Sequence, residues 1–122
     1  MDVKCLDTYA LAEIYEGNQK FIKYLESPFV IADLTLAEFY SVLLRDKDEN
    51  TADLWYNKLV TYTQPVLMRL LIEAVKFRYK HRKLGISFFD AAGYVFALRN
   101  GFKFVTGDKE FEKLENVEFV KR

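Results

Sequence analysis

Hydrophobic positions change their period several times along this chain, and the changes mark out alternating strands and helices. Val3-Lys4-Cys5-Leu6 reads as a short buried strand. From Thr8 to Tyr15 the apolar residues recur at helical spacing, and Gly17-Asn18 stops that helix before a second helical stretch to Leu25. After Ser27-Pro28, Phe29 to Ala32 forms a second strand, and Leu36, Phe39, Tyr40, Leu43 and Leu44 repeat as one face of a helix ending near Arg45. Asp46-Lys47-Asp48-Glu49-Asn50 is a polar turn. Leu54, Trp55, Leu59 and Tyr62 then predict a further helix running antiparallel to the one before, halted at Thr63-Gln64-Pro65.

Pro65-Val66-Leu67 is the candidate third strand, followed by a helix carrying Leu70, Leu71, Ala74, Val75 and Phe77 toward Lys83. Gly85 and Ser87 break the pattern, and Asp90 to Arg99 is strongly helical up to the stop signal Asn100-Gly101. Phe102 to Thr106 is a fourth strand, and a short helix and a last strand near Val117 to Val120 complete the series. The predicted class is α/β: three α/β/α layers around a central, mostly parallel sheet of four or five short strands. With 122 residues and 51% hydrophobic content, one domain over residues 1–122 is expected.

Charge narrows the function classes. Eighteen basic residues balance eighteen acidic ones, so there is no global pull toward a polyanion or an anionic membrane, and RNA contact has to come from local patches. No apolar run approaches the ~20 residues of a membrane span. A lone Cys5 and the absence of a signal-like N-terminus predict a cytoplasmic protein.

The informative feature is the placement of four acids. Asp7 and Asp108 follow strand-like runs, Glu38 follows the second strand, and Asp90 stands at the head of an apolar helix. In a parallel α/β sheet the carboxyl ends of strands and the helix N-termini after them line one crevice. Two carboxylates about 5 Å apart at an effective dielectric of about 20 repel by roughly 3 kcal/mol, so such a cluster asks for cations. Capping accounts for each acid singly: Asp7 as an N-cap, Thr35 with Glu38 and Ser87 with Asp90 as capping boxes, Asp108 ahead of Lys109 to Leu114. It does not account for their joint placement. The hard oxygen donors suit Mg2+ or Mn2+.

These residues resemble the PIN-domain ribonucleases, in particular the VapC-type toxins of prokaryotic toxin–antitoxin pairs. The resemblance rests on Cys5-Leu6-Asp7-Thr8, on Leu34-Thr35-Leu36-Ala37-Glu38, and on the stretch from Phe89-Asp90-Ala91-Ala92 through Gly101 to Thr106-Gly107-Asp108-Lys109-Glu110-Phe111. It implies that Asp7, Glu38, Asp90 and Asp108 are metal-binding, catalytic acids, with Thr8 and Thr106 as supporting hydroxyls. It also implies a metal-dependent endoribonuclease leaving a 5′-phosphate and a 3′-hydroxyl, and an antitoxin that blocks the acids with a basic side chain. Two departures stand out: Tyr9 where the family often has Asn or Ser, and Glu110 where many relatives have an aspartate. Whether Glu110 joins the site, whether Glu38 ligates or orients a water, and whether one ion binds or two are left open.

Other chemistry is thin. His81 is the single histidine, which excludes a two-histidine ribonuclease, and the glycines form no phosphate-binding loop. Between Lys76 and Lys83, the basic residues Arg78, Lys80 and Arg82 with Phe77 and Tyr79 interleaved suit RNA contact and equally suit a helix C-terminus. The aromatic excess, with Phe39, Tyr40, Trp55, Tyr56 and Tyr62 on the middle helices, predicts a homodimer or an antitoxin surface. Two alternatives compete with the ribonuclease: an inactive PIN-like binding module, which Tyr9 keeps open, and a receiver-like phosphoacceptor domain.

Overall fold

The computed structural model describes residues 2–122. Its elements run β1 (Lys4–Leu6), α1 (Thr8–Tyr15), α2 (Gln19–Ile22), β2 (Phe29–Ala32), α3 (Asp33–Asp46), α4 (Glu49–Leu59), β3 (Thr63–Gln64), α5 (Met68–Lys80), α6 (Phe88–Asn100), β4 (Lys103–Thr106) and β5 (Val117–Phe119). Single 3-10 turns cover Lys23–Glu26, Val60–Tyr62, Arg82–Leu84 and Lys109–Phe111. The sheet has five strands in the order β3-β2-β1-β4-β5. Every pairing is parallel, with Cys5 opposite both Val30 and Phe104. The chain thus builds outward from β1 on one side, then returns to add β4 and β5 on the other. Strand order reverses at β1, which is where a parallel sheet opens a crevice beyond its carboxyl ends.

Side-chain alternation sorts the strands into two cores. Cys5, Val30, Ala32 and Phe104 point to the face covered by α5 and α6, where Leu70, Ala74, Tyr94 and Phe111 join them. Their neighbours Leu6, Ile31 and Val105 point the other way, onto α1, α2, α3 and α4 through Leu11, Phe21, Leu36 and Phe39. That is the three-layer arrangement expected from the strand–helix alternation. Helix α6 is buried from Ala91 to Ala97, as its near-continuous apolar sequence demands. The Tyr94 hydroxyl satisfies itself by donating to the Glu115 carbonyl at 2.8 Å. Gly101 closes the helix in the left-handed region at φ 73°.

Helices α3 and α4 fold back on one another. Tyr40 donates to Asp53 Oδ1 at 2.6 Å and packs edge-on to Tyr56, while Phe39 meets Trp55 at 90°. The expected polar turn shrinks to Lys47 and Asp48, because Asp48 caps α4 by accepting from Thr51 N–H and the helix begins at Glu49. The third strand lies two residues earlier than expected. Thr63 and Gln64 pair with Ile31 and Ala32, whereas Pro65 has no N–H to donate to a ladder. Val66 N–H is taken by the Asp33 carboxylate at 3.3 Å. Among the described residues, no helix is long and apolar enough to cross a membrane.

Candidate active site

Asp7 leaves the end of β1, the central strand, and is only 2% exposed. Its extended backbone makes it the N-cap of α1, and Oδ1 accepts from Ala10 N–H at 2.8 Å. Thr106, wholly buried at the end of neighbouring β4, bridges two acids. Its hydroxyl bonds the Asp7 carboxylate and accepts the Asp108 N–H at 3.0 Å. Asp108 in turn accepts from Glu110 N–H at 3.3 Å and so caps the turn Lys109–Phe111. The capping explanation and the crevice explanation are therefore both true of Asp7 and Asp108.

Asp90 and Glu38 arrive on the helices. Asp90 is the third residue of α6, behind the N-cap Ser87, whose hydroxyl accepts Asp90 N–H at 3.1 Å and bonds its carboxylate. Glu38 lies further from a helix start than expected. Helix α3 begins at Asp33 directly after β2, so the expected capping box at Thr35 is replaced by an N-cap at Ala32 that has no side-chain bond. Glu38 nevertheless faces the crevice because α3 and α6 approach closely: a β-carbon on Gly93 would stand 3.1 Å from Thr35 Oγ1. Glu38 and Asp90 are one turn from that crossing on their respective helices. Thr8 Oγ1 donates to Glu38 Oε1 at 2.5 Å.

The electrostatics link all four acids. Burial pushes the Asp7 carboxyl up to about 8, outweighing the Thr106 and Ala10 hydrogen bonds, with Asp90 and Asp108 adding repulsion. Burial also raises Asp90 to about 6, helped by the charges of Glu38 and Asp108. Asp108 is raised by burial alone. Glu110 is not among the charges acting on Asp7 or Asp90, and it lines an adjoining cavity beside Asp108. Among the described residues no three His, Cys, Asp or Glu side chains are gathered tightly enough to ligate one ion as they stand. The acids are near enough to raise one another's carboxyls. The donor set still fits a hard divalent cation, since a positive charge in the crevice would relieve both the burial cost and the repulsion.

Of the remaining expected residues, three lie at the end of α5 and on the turn after it. Arg78 donates from Nε to the Ile86 carbonyl at 2.9 Å, and Arg82 stacks on Tyr79 at 4.6 Å; both line a cavity of about 400 Å³ that reaches Ser87 at the head of α6. Lys80 lines one cavity with Glu73, Tyr94 and Arg99 and shares another with Tyr79 and Arg82. Arg82, on the turn after α5, therefore borders one cavity with Arg78 and another with Lys80. Tyr9 packs on Phe21 and beneath Arg122. Gly107, Lys121 and Arg122 were not singled out from the sequence. Gly107 had a signal, since it stands between a strand and a candidate ligand; the two cations lie far along the chain from any motif.

The chain belongs to the PIN domain family, whose model matches residues 4–117. It is similar in structure to VapC20 of Mycobacterium tuberculosis, described as a sarcin-ricin loop cleaving toxin, with a TM-score of 0.80 and 17% identity over 99% of this chain and 98% of that one. It is similar also to DNA-bound VapBC from Salmonella typhimurium, with a TM-score of 0.76 and 16% identity over 99% and 98%. PAE2754 from Pyrobaculum aerophilum aligns with a TM-score of 0.70 and 25% identity over 98% and 92%. No curated protein matches the chain. The family match removes the receiver-like alternative.

The raised Asp7 carboxyl has a sign that can be checked. A carboxyl held at about 8 in the folded chain, against about 4 unfolded, binds a proton on folding, so its contribution is complete at low pH and is lost as pH rises through 8. Asn keeps the Ala10 bond without the charge. In EDTA, Asp7→Asn should therefore be more stable than the wild type at pH 9 by at least about 1.4 kcal/mol, the equivalent of one pK unit. The difference should shrink toward pH 5, as read by urea denaturation at each pH. A pH-independent difference would contradict the buried, repelled carboxylate.

Proposed function

We propose that this protein is a metal-dependent endoribonuclease of the VapC type, a cytoplasmic toxin held in check by a cognate antitoxin. The observation that carries the reading is the convergence of Asp7, Glu38, Asp90 and Asp108 on one crevice at the reversal of strand order, with Asp7 and Asp90 pushed up to about 8 and about 6. Family membership and the toxin named in VapC20 support it. Asp7, Asp90 and Asp108 would hold Mg2+ or Mn2+. Such an ion supplies Lewis acidity toward the phosphate and neutralises charge building on the leaving oxygen.

The chain's own groups account for the rest. Thr106 fixes Asp7 relative to Asp108, and Ser87 fixes Asp90. Thr8 occupies Oε1 of Glu38, which leaves Oε2 as the oxygen that takes the proton of the attacking water. Hydrolysis with a 5′-phosphate on one fragment and a 3′-hydroxyl on the other follows for a water attacking in line on the side opposite the 3′ oxygen. Arg78 and Arg82, beside the head of α6, contact the RNA backbone, with Lys80 next to Arg82.

Two surfaces suit partners. The groove between α3 and α4, about 580 Å³ and lined by Leu36, Tyr40, Tyr56 and Val60 with Asp33 and Asp53 at its walls, suits an apolar, basic antitoxin segment. On α5, Met68, Ile72, Val75 and Tyr79 are each at least half exposed and suit a second copy of the chain.

Purified protein given a mixed RNA pool should cleave it with manganese or magnesium and not with EDTA. Asp7→Asn and Asp90→Asn, shown to be folded, should lose more than the roughly 10–100-fold typical of groups that merely orient metal ligands. Cleavage surviving both substitutions would contradict the assignment. For the dimer, sedimentation at micromolar concentration should give twice the 14.4 kDa chain mass, and Ile72→Glu should return the protein to a monomer. A monomeric wild type would remove the dimer from the reading.

A further inference from the structure

Asp108 also borders a space of about 970 Å³, walled by Tyr9, Gly107, Lys109, Phe119, Lys121 and Arg122. Gly107 lets Tyr9 and the segment after β5 close against this wall. A β-carbon there would lie 2.3 Å from Tyr9 Cε1 and 2.7 Å from the Val120 carbonyl oxygen, so any side chain would displace the Tyr9 ring or the segment after β5. That segment is tied down at two points: Val120 N–H donates to the Thr106 carbonyl at 2.8 Å, and Lys20 Nζ donates to the Lys121 carbonyl at 3.3 Å.

Tyr9 and Arg122 form a unit within this space. The guanidinium lies 5.7 Å from the Tyr9 ring centroid, and its Nε donates to the Tyr9 hydroxyl at 3.3 Å. The same Nε lies 3.5 Å from Glu13 Oε2. Among the described residues these polar contacts of Arg122 both use Nε, so the two terminal nitrogens, on a side chain 68% exposed, are presented to the cavity. Asp108, Glu110 and Glu112 enter the wall after β4, whereas Lys121 and Arg122 enter it after β5. Aromatic faces beside cations are the composition that holds a nucleotide of single-stranded nucleic acid. Lys109, Lys121 and Arg122 balance the three acids, and Lys121 and Arg122 make the side after β5 cationic without any bound ion.

We infer that this cavity is a nucleotide subsite, taking the nucleotide next to the scissile phosphate of single-stranded RNA, with Arg122 and Lys121 on its phosphate and Phe119 against its base. Tyr9 is the positioning residue that aims Arg122. The inference rests on the RNA-cleaving reading above, and its test is chosen to be separable from that reading. Binding of a short single-stranded RNA is measured by fluorescence anisotropy in EDTA across a series of salt concentrations. Arg122→Gln with Lys121→Gln, both exposed and remote from the core, should weaken binding about tenfold and reduce the salt slope by roughly 0.7 for each phosphate that is no longer neutralised.

Tyr9→Leu should reproduce the Arg122→Gln loss, and Tyr9→Phe, which keeps the ring, should restore most of the affinity. Affinity and salt slope unchanged in the Arg122/Lys121 double variant, while Arg78→Gln with Arg82→Gln loses binding, would overturn the subsite and leave the nuclease standing. A wild type that fails to cleave RNA in manganese would overturn the nuclease reading, and the binding series would still decide the subsite on its own. Failure of the wild type to bind RNA at any salt would overturn the subsite and leave the nuclease to be decided by cleavage in manganese.

Discussion

Asp7 stands at the end of the one strand that has neighbours on both sides at the reversal of strand order, and its carboxylate has almost no access to water. Burying an anion is costly unless hydrogen bonds and positive charge compensate it. The chain supplies part of that compensation: an N–H from Ala10, a hydroxyl from Thr106, and the positive end of α1. It then adds Asp90 and Asp108 within electrostatic reach, which works in the opposite direction. The net effect, a carboxyl pushed up to about 8, is a local strain that a packed protein tolerates and a bound divalent cation would remove.

The two cores make that tolerance possible. On one side of the sheet Phe104, Tyr94 and Phe111 interlock with ring centroids 5.0–5.6 Å apart; on the other Leu6, Val105 and Phe39 are buried against α1 and α3. Hydrophobic burial on both faces fixes β1 and β4 side by side, so Leu6 and Val105 bring Asp7 and Thr106 to the same edge without any attraction between the acids. Close approach of α3 and α6 at Thr35 and Gly93 does the same for Glu38 and Asp90. The carboxylates are thus held by apolar packing, and their mutual repulsion is a consequence of that packing rather than a determinant of it.

Much of this was legible in the residues. The strands at Phe29–Ala32 and Lys103–Thr106, the stop at Gly101 and the positions of Asp7, Asp90 and Asp108 at element ends all followed from period and punctuation, because these signals act over a few neighbouring residues. What was misplaced depended on long-range partners. The third strand went to Thr63–Gln64 because pairing with β2 decides it, and Glu38 moved into α3 because the helix starts where β2 ends. Along the basic run after Lys76, Arg82 shares one cavity with Arg78 and another with Lys80, a placement that only the turn after α5 decides. Tyr9 was noticed as unusual, but its partners Gly107 and Arg122 could be found only in three dimensions.

The central claim is that the crevice is short of positive charge and that Asp7 carries a proton near neutral pH as a result. Metal binding should then expel that proton, because a ligating carboxylate must be ionised. Titration calorimetry with Mn2+ at pH 7, repeated in buffers of different ionisation enthalpy, counts the protons released. Release of about one proton by the wild type, and none by Asp7→Asn, is the predicted result. Binding without proton release, or equal release from both proteins, would contradict it.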